Sequence, residues 1–198
     1  MLKRFFDLST SAIAIALIWP ILLLISIWIK LDSSGPVFFR QERVGRHGRT
    51  FRIFKFRTMT VDAEKKGLQL TVGGDNRVTR AGKFLRKTKL DELPQLFDVL
   101  IGNMSIVGPR PEVPKYIDQY PASIRKQVLS VRPGITDRAS IEFRNENEIL
   151  SNSADPEKSY INEILPIKQK YYIEYVNKNS FLGDLKIIWE TAFAIISK

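Results

Sequence analysis

The sequence predicts a helix-rich α+β protein with a re-entrant helix-break-helix membrane anchor at its N-terminus and a compact cytosolic domain. That domain is expected to contain a small β-hairpin and interfacial helices. Residues 8–29 carry no charge, two segments rich in β-branched and aromatic residues flank a pair of glycines, and helical apolar periodicity recurs later. The 198 residues suffice for one domain with a hydrophobic core. The predicted divisions are an anchor at 1–32, a main domain at 33–180 and a C-terminal amphipathic helix at 181–198.

The uncharged run is long enough to cross the ~30 Å hydrocarbon core of a membrane as a helix. No small-residue cleavage site follows it, which argues against a secretory signal peptide. Pro20 lies near its middle, where proline removes a backbone hydrogen bond and kinks a helix. Lys3 and Arg4 precede the run and a basic domain follows it, so a straight span would leave cations on both faces. We therefore expect both ends on the cytoplasmic face; a kinked spanning helix is the alternative.

A hairpin and a loop are predicted after the anchor. Residues 36–41 and 50–56 are rich in β-branched and aromatic residues, and Gly45 and Gly48 lie between them. This composition indicates two strands joined by a turn. Residues 65–77 are polar and contain consecutive glycines, which indicates a loop.

A short helix is predicted at 96–101, directly after two adjacent carboxylates. Pro94 suits a first helical turn and Gly102 suits the residue that ends a helix. Asp91 and Glu92 are therefore expected at or just before a helix N-terminus, where free N–H groups and the helix dipole favour anions. Such a place suits a carboxylate, a phosphate, or both bridged by a metal. Five cations precede the pair: Arg80, Lys83, Arg86, Lys87 and Lys89.

The C-terminal segment has apolar residues at helical spacing with charged residues between them. They are Phe181, Leu185, Ile188, Trp189, Ala192, Phe193 and Ile196. This pattern fits an interfacial helix with Trp189 at the level of lipid headgroups. It fits an ordinary core helix equally well, and both interpretations stay open.

Composition narrows the class of partner. The chain has 31 Lys and Arg against 21 Asp and Glu, a net charge of +10, which favours nucleic acid, phosphorylated small molecules or an anionic membrane face. It has no cysteine, which excludes disulfides and thiolate metal sites. His47 is the single histidine, which excludes His-rich metal centres, and neither a Walker A loop nor a GxGxxG motif occurs.

The carboxylate pair offers two kinds of chemistry. Consecutive helical side chains point roughly 100° apart, so Asp91 and Glu92 are expected to have different roles. One could hold Mg²⁺, which takes one or two carboxylates plus substrate phosphates. A carboxylate can also attack phosphorus as a nucleophile. The alternative is a solvated rim of ion pairs, with Lys87 one turn before Asp91.

Arg110 lies between two prolines, which stiffen the loop that presents its guanidinium. A rigid guanidinium suits bidentate phosphate recognition, although a structural turn with an exposed arginine is the alternative. Lys55, Arg57 and Arg132 are further candidates for substrate binding, and each taken alone could equally be surface charge.

Eight features occur in a characteristic order. They are the Lys3-Arg4 start, the proline-broken apolar run, Gly35-Pro36-Val37-Phe38-Phe39-Arg40-Gln41, Arg43-Val44-Gly45, Lys55-Phe56-Arg57-Thr58-Met59, Leu90-Asp91-Glu92-Leu93-Pro94-Gln95, Gly108-Pro109-Arg110-Pro111 and Arg132-Pro133-Gly134-Ile135-Thr136. In this order they resemble the bacterial sugar transferases of the small monotopic phosphoglycosyl transferase type. The resemblance covers roughly residues 2–190 and is closest to the minimal form, an anchor plus a catalytic domain.

The resemblance implies an Mg²⁺-dependent reaction at the cytoplasmic face of the bacterial inner membrane. A phosphosugar passes from a UDP-sugar to polyprenyl phosphate, such as undecaprenyl phosphate, with release of UMP. This would be the first membrane step of glycoconjugate synthesis, with no nucleic acid as partner. The sugar and the oligomeric state are not predicted.

The resemblance also implies residue roles. Asp91 would be the nucleophile that forms a phosphosugar–enzyme intermediate, with Mg²⁺ near it. Glu92 would be its partner acid, either deprotonating the incoming lipid phosphate or supporting the metal. Arg86 would bind phosphate and Arg110 would hold the nucleotide, with Lys55, Arg57 and Arg132 as further substrate-binding candidates.

Two positions depart from the family pattern. Trp19 precedes Pro20 where the family has serine, whose hydroxyl can help a helix to bend. Asp137 follows the Arg-Pro-Gly-Ile-Thr motif where the family has glycine. If this position touches the sugar or the phosphate, its carboxylate would alter substrate choice.

Two rival functions remain at this stage. One is a non-catalytic membrane-anchored module that uses its charge to bind anionic lipid or nucleic acid, with steeply salt-dependent binding. The other is an Mg²⁺-dependent phosphohydrolase, which would transfer the phosphoryl group to water. The clustering of cations around two acids, rather than along a stripe, favours the transferase.

Overall fold

A computed structural model describes residues 2–61, 63 and 75–197, and it is a helix-rich α+β structure with a long apolar N-terminal helix and small sheets, as predicted. The predicted loop at 65–77 therefore lies mostly outside the described residues. The α-helices are α1 Leu2–Asp32, α2 Arg80–Thr88, α3 Gln95–Ile101, α4 Pro114–Ile117, α5 Ala122–Val128, α6 Arg138–Glu142, α7 Glu146–Ser151, α8 Pro156–Ser159, α9 Leu165–Lys178 and α10 Phe181–Ile196.

The strands form three two-stranded sheets within the described residues. They are β1 Phe38–Phe39, β2 Glu42–Val44, β3 Thr50–Arg52, β4 Lys55–Phe56, β5 Ser105–Val107 and β6 Gly134–Thr136. The predicted hairpin is confirmed: β2 and β3 pair antiparallel with Val44 opposite Thr50, and β1 pairs with β4 beyond them. His47 at φ 59° and Gly48 at φ 77° reverse the chain between β2 and β3.

The pair β5–β6 is parallel and was not predicted. Ser105 lies opposite Gly134 and Val107 lies opposite Thr136. The backbones approach so closely that a Cβ on Gly134 would lie 2.1 Å from the amide nitrogen of Gly108. Only glycine fits this position, so the Arg-Pro-Gly motif serves the packing of the loop that carries Arg110.

Helix α1 spans 31 residues and stays helical through Pro20. Pro20 therefore does not end the helix, because proline removes only one hydrogen bond and can kink a helix without ending it. By length and hydropathy the helix could cross a membrane, and its middle is exposed, with Leu17 73% and Leu24 65% accessible. The re-entrant path stays a prediction.

The N-terminal end of α1 is tied to the domain by polar contacts. Buried Asp7 accepts a hydrogen bond from Ser105 Oγ (2.8 Å) and another from the amide of Ile106 (3.2 Å). Arg4 donates to the carbonyl of Val99 (2.7 Å) near the end of α3, where a helix has unsatisfied carbonyls.

The C-terminal end of α1 contacts the same domain. Ile29 is buried in a cluster with Phe56 of β4 and Leu85 of α2. Asp32 Oδ2 accepts a hydrogen bond from the amide of Ala81 (3.0 Å) in the first turn of α2. Both flanks of the apolar helix therefore rest on one folded unit.

Helix α10 is fixed through Asp184, which is buried. Asp184 Oδ2 pairs with Lys3 Nζ of α1 (2.6 Å), and Oδ1 accepts from the hydroxyl of Tyr175 in α9 (2.9 Å). The opposite face of α10 is exposed and apolar. Its exposed apolar side chains are Leu182, Leu185, Trp189 and Phe193. This exposure does not fit the core-helix interpretation, whereas the interfacial interpretation accommodates it.

Candidate active site

The carboxylate pair lies on a 3₁₀ turn between two helices. Lys89 ends α2 in the left-handed conformation, at φ 59°, and turns the chain. Leu90–Glu92 then form one 3₁₀ turn, and Pro94 precedes the first residue of α3. The prediction of two carboxylates just before a helix N-terminus is confirmed. Asp91 is 2% exposed, so the alternative of a solvated ion-pair rim is wrong for this residue.

Lys55 and Arg110 hold the two carboxylates in place. Lys55 Nζ, on β4, lies 2.8 Å from Asp91 Oδ2 and 3.3 Å from Glu92 Oε1. Arg110 donates to both oxygens of Glu92 in a bidentate pair, with Nη1 3.1 Å from Oε2. Both oxygens of Glu92 are thus engaged. Asp91 Oδ1 is buried and has no hydrogen-bond partner among the described residues.

The charges around Glu92 shift the pKa of its carboxyl group. Burial alone would raise the pKa of Glu92, but the positive charges of Arg110 and Lys55 hold it well below its ordinary value. The same ion pair raises the pKa of Arg110 well above its ordinary value, against the opposing effect of burial. Glu92 is consequently a poor proton acceptor. Its contacts suit a role in positioning Arg110 and Lys55, which differs from the base role that the resemblance implied.

A polar cavity of about 230 Å³ opens in front of the pair. Five of the predicted site residues line it: Lys55, Arg86, Asp91, Glu92 and Arg110. Arg86 donates from Nε to Thr58 Oγ1 (2.8 Å), and its burial lowers the pKa of the guanidinium. The terminal nitrogens of Arg86 carry no hydrogen bond to described residues, which leaves them available for an anion.

The far wall of this cavity was missed at the sequence level. Its charged and aromatic side chains include Arg43, Lys89, Arg144, Tyr160 and Lys168. The Tyr160 hydroxyl donates to Glu112 Oε1 (2.7 Å), Lys168 pairs with Glu146, and burial raises the pKa of Tyr160. These residues come from four separate segments, so no local spacing brings them together. Two of them carried a signal in the sequence: Lys89 is one of the five cations that precede the carboxylate pair, and Arg43 lies inside a quoted motif.

Arg57 and Arg132 lie outside this cavity. Arg57 is 4% exposed and donates to Ser33 Oγ (2.8 Å) and to the carbonyl of Pro36 (2.6 Å). It therefore secures the chain directly after α1. Arg132 Nε donates to the carbonyl of Gly102 (3.0 Å), which fixes the loop after α3. Both contacts are structural, and the substrate-binding role predicted for the two arginines is not supported by their positions.

Asp137 does not face the site as a free carboxylate. It is buried and caps α6: Oδ1 accepts from the amide of Ser140 (2.9 Å) and Oδ2 from the Ser140 hydroxyl (2.8 Å). Burial raises the pKa of Asp137 above its ordinary value. The departure from the family pattern at this position is thus explained by helix capping, which satisfies orphan amides at a helix start.

The donor set fits a metal that is shared with a substrate. No group of three or more acidic, histidine or cysteine side chains that could hold a metal occurs in residues 2–61, 63 and 75–197. Asp91 Oδ1 is nevertheless buried and unpartnered beside a cation-lined cavity. Mg²⁺ commonly binds through one or two carboxylates plus substrate phosphates. Asp91 could hold such an ion only together with a bound diphosphate.

Comparison with known proteins identifies a family and several relatives. The sequence matches the family described as "Bacterial sugar transferase" over residues 1–198. It is 39% identical over 198 residues to a UDP-N-acetylgalactosamine-undecaprenyl-phosphate N-acetylgalactosaminephosphotransferase of Aeromonas hydrophila. This match covers 99% of this chain and 44% of the relative. It is 43% identical over 195 residues to a UDP-glucose:undecaprenyl-phosphate glucose-1-phosphate transferase of Klebsiella pneumoniae, covering 96% of this chain and 39% of the relative.

A third relative is nearer in length. A putative undecaprenyl-phosphate N-acetylgalactosaminyl 1-phosphate transferase of Bacillus subtilis is 43% identical over 137 residues, 69% of this chain and 72% of the relative. The chain spans less than half the length of the first two relatives. The region shared with the Aeromonas hydrophila relative covers 99% of this chain and so contains the carboxylate pair and the long apolar helix.

Proposed function

The chain belongs to the bacterial sugar transferase family, and from this premise we propose that it is a phosphoglycosyl transferase. It moves a phosphosugar from a UDP-sugar to polyprenyl phosphate, undecaprenyl phosphate in the relatives' names, and releases UMP. One observation carries the proposal. Asp91 is a buried carboxylate that lines a cavity walled by cations; Lys55 holds one of its oxygens, and the other has no hydrogen-bond partner among the described residues.

In the first half-reaction Asp91 Oδ1 attacks the phosphorus that bears the sugar. A bond forms between this oxygen and phosphorus, the bridging bond to the other phosphate breaks, and UMP leaves with the bridging oxygen. Lys55, Arg86 and Arg110 lie where negative charge builds up, and fixed cations at such a place lower the barrier. Mg²⁺, when bound, would add further neutralisation of the diphosphate charge.

In the second half-reaction a phosphate oxygen of the polyprenyl acceptor attacks the same phosphorus. The bond to Asp91 breaks, the carboxylate is restored, and polyprenyl diphosphosugar is released. One nucleophile thus serves a soluble donor and a lipid acceptor in turn, which is the logic of covalent catalysis. Glu92 keeps Arg110 and Lys55 oriented through both steps.

We also propose how the protein lies on the membrane. Both ends of α1 contact one domain, and α10 exposes an apolar face with Trp189 74% accessible. A monotopic protein docked on the cytoplasmic leaflet of the inner membrane accounts for both features. The acceptor's phosphate lies at that same leaflet surface, within reach of a site on the domain.

The decisive experiment is intact-mass analysis of the full chain with Mg²⁺ and a panel of UDP-sugars, without acceptor. One UDP-sugar is expected to add the mass of a single phosphosugar and to release UMP. Asp91→Asn is expected to abolish the adduct. Asp118→Asn, which removes an exposed carboxylate far from the site in sequence, is the matched control and should form the adduct normally. Undiminished turnover by Asp91→Asn would refute the assigned nucleophile.

A further inference from the structure

A second cavity of about 250 Å³ lies on the other side of the Glu92–Arg110 pair. The two cavities share five wall residues: Lys89, Glu92, Arg110, Ser140 and Arg144. The Glu92–Arg110 pair therefore contributes to the walls of both cavities, and Glu92 directly follows Asp91 in sequence. Asp91 lines the first of these cavities.

The second cavity differs from the first in the chemistry of its walls. Its apolar surface comes from four elements: Leu96 of α3, Ile135 of β6, Ile141 of α6, and Ala194 with Ile195 of α10. Its cationic surface is Lys87, Lys89, Arg110 and Arg144. Three of these four cations also line the polar cavity, so the positive charge is concentrated where the two spaces meet.

The second cavity is accessible where the C-terminal part of α10 lines it. Ile195 lines the cavity and is 48% accessible. An occupant could therefore extend from the cationic end, past apolar walls, to the accessible C-terminal part of α10. This geometry calls for a molecule with an anionic head and a long apolar chain.

We propose that the second cavity is the binding groove of the polyprenyl phosphate acceptor, with its phosphate at Lys87, Arg110 and Arg144 and its first isoprene units against α3 and α10. The inference rests on the proposed function. The UDP-sugar, which is polar throughout, suits the first cavity. The two substrates thus approach the Asp91 carboxylate from different sides, and neither needs to cross the other's path.

The test compares two placements of one bulky side chain on α10. Ala194→Trp fills the groove, whereas Ala192→Trp adds the same bulk to an exposed position outside it. For Ala194→Trp we expect the KM for undecaprenyl phosphate to rise about tenfold or more, while the rate of adduct formation from UDP-sugar alone stays within about twofold of the parent chain. Ala192→Trp should change neither quantity. Thermal unfolding of both variants checks that they fold.

A charge variant tests the phosphate end independently. Lys87 is exposed and, among the described residues, lines the second cavity but not the first. Lys87→Glu is expected to raise the acceptor KM about tenfold without slowing adduct formation. An unchanged acceptor KM in Ala194→Trp and Lys87→Glu, or an equal loss of both half-reactions, would overturn the groove assignment. If the parent chain forms no adduct with any UDP-sugar, the proposed function itself fails, and that result is distinct from either.

Discussion

Two adjacent acids at the centre of this site behave differently because their partners differ. Asp91 keeps a free oxygen, whereas Glu92 has both oxygens bound by Arg110 and Lys55. The difference arises from the 3₁₀ turn, which points consecutive side chains in different directions. A nucleophile needs an oxygen that no hydrogen-bond donor occupies, whereas a side chain that orients two cations uses its oxygens to bind them. Because of this turn, Asp91 is placed to act as the proposed nucleophile and Glu92 to orient Arg110 and Lys55.

We expect Glu92 to affect how the thermal stability of the protein changes with pH. Its pKa in the folded protein lies well below the ordinary value of 4.5, so the carboxylate stabilises the fold above that pH. This contribution is lost as the pH falls below 4.5 towards the depressed pKa. In Glu92→Gln it is absent at every pH. Between pH 7 and pH 3, Tm should therefore fall less steeply for Glu92→Gln than for the parent chain in the same detergent.

The control for this measurement is Asp118→Asn, whose carboxylate is 62% exposed and pairs with Arg125 at the surface. Its Tm should track that of the parent chain at each pH. If Glu92→Gln shows the same acid dependence as the parent chain, Glu92 does not have a depressed pKa in the folded state.

Some residues at this scale could be assigned from sequence and others could not. Asp91, Glu92 and Arg110 were found because a helix start and a rigid loop are local features. Arg57 resembled a site residue by its motif, yet it binds Ser33, 24 positions away. Asp137 could have been identified as a helix cap, since Ser140 follows it three positions later. Charge and spacing do not distinguish a cation that faces a cavity from one that fills a structural pocket.

At the scale of elements, the contact between α1 and α10 depends on one buried acid. Asp184 accepts from Lys3 and from Tyr175, and so joins three helices. In Asp184→Asn the ion pair is lost and one acceptor oxygen becomes a donor. We expect the free energy of unfolding to drop by about 1–3 kcal/mol, since the acid is buried while Lys3 is partly exposed. Thermal unfolding should register this as about 2–4 °C per kcal/mol.

Glu190→Gln provides the comparison on the same helix. Glu190 lies 3.8 Å from Lys186 in an exposed pair spaced i,i+4. Such pairs contribute about 0.3–0.5 kcal/mol, so this variant should unfold close to the parent Tm. A loss in Glu190→Gln equal to that in Asp184→Asn would show that Asp184 does not join the helices as described.

Among the elements, those with a local signature were predicted and those with long-range pairing were not. The β2–β3 hairpin follows from two glycines between strand-forming segments, and α3 follows from Pro94 and Gly102. The parallel pair β5–β6 joins residues 29 positions apart, Ser105 with Gly134, and each strand has three residues. Neither strand is long enough to show a period, and the pairing depends on a close backbone approach.

At the scale of the whole molecule, the position of both ends of α1 supports the membrane topology that we propose. A straight helix of 31 residues is about 46 Å long, enough to place its ends on opposite sides of a ~30 Å hydrocarbon core. Here Asp7 and Asp32 both bind the same domain. The sequence predicted the shared side from cations on both flanks, whereas the continuity of the helix through Pro20 was not foreseen because a proline's effect depends on its surroundings.

Cysteine labelling tests this topology cleanly, because the chain has no cysteine of its own. We expect a membrane-impermeant maleimide to modify Leu2→Cys and Ser34→Cys only when the cytoplasmic face is accessible, as in inverted vesicles. Asp118→Cys marks the side of the domain. Modification of Leu2→Cys from the periplasmic side, with Asp118→Cys protected, would establish a spanning helix instead.

The ties between α1 and the domain have a further consequence. Asp7 satisfies an amide and a hydroxyl on β5, and Asp32 satisfies an amide that opens α2. Deleting residues 1–32 to obtain a water-soluble fragment would remove these acceptors and uncover the cluster around Phe56 and Leu85. The long apolar helix is therefore an integral part of the folded domain rather than a detachable tether. Any truncated version for crystallography or screening would need new side chains that replace both carboxylates.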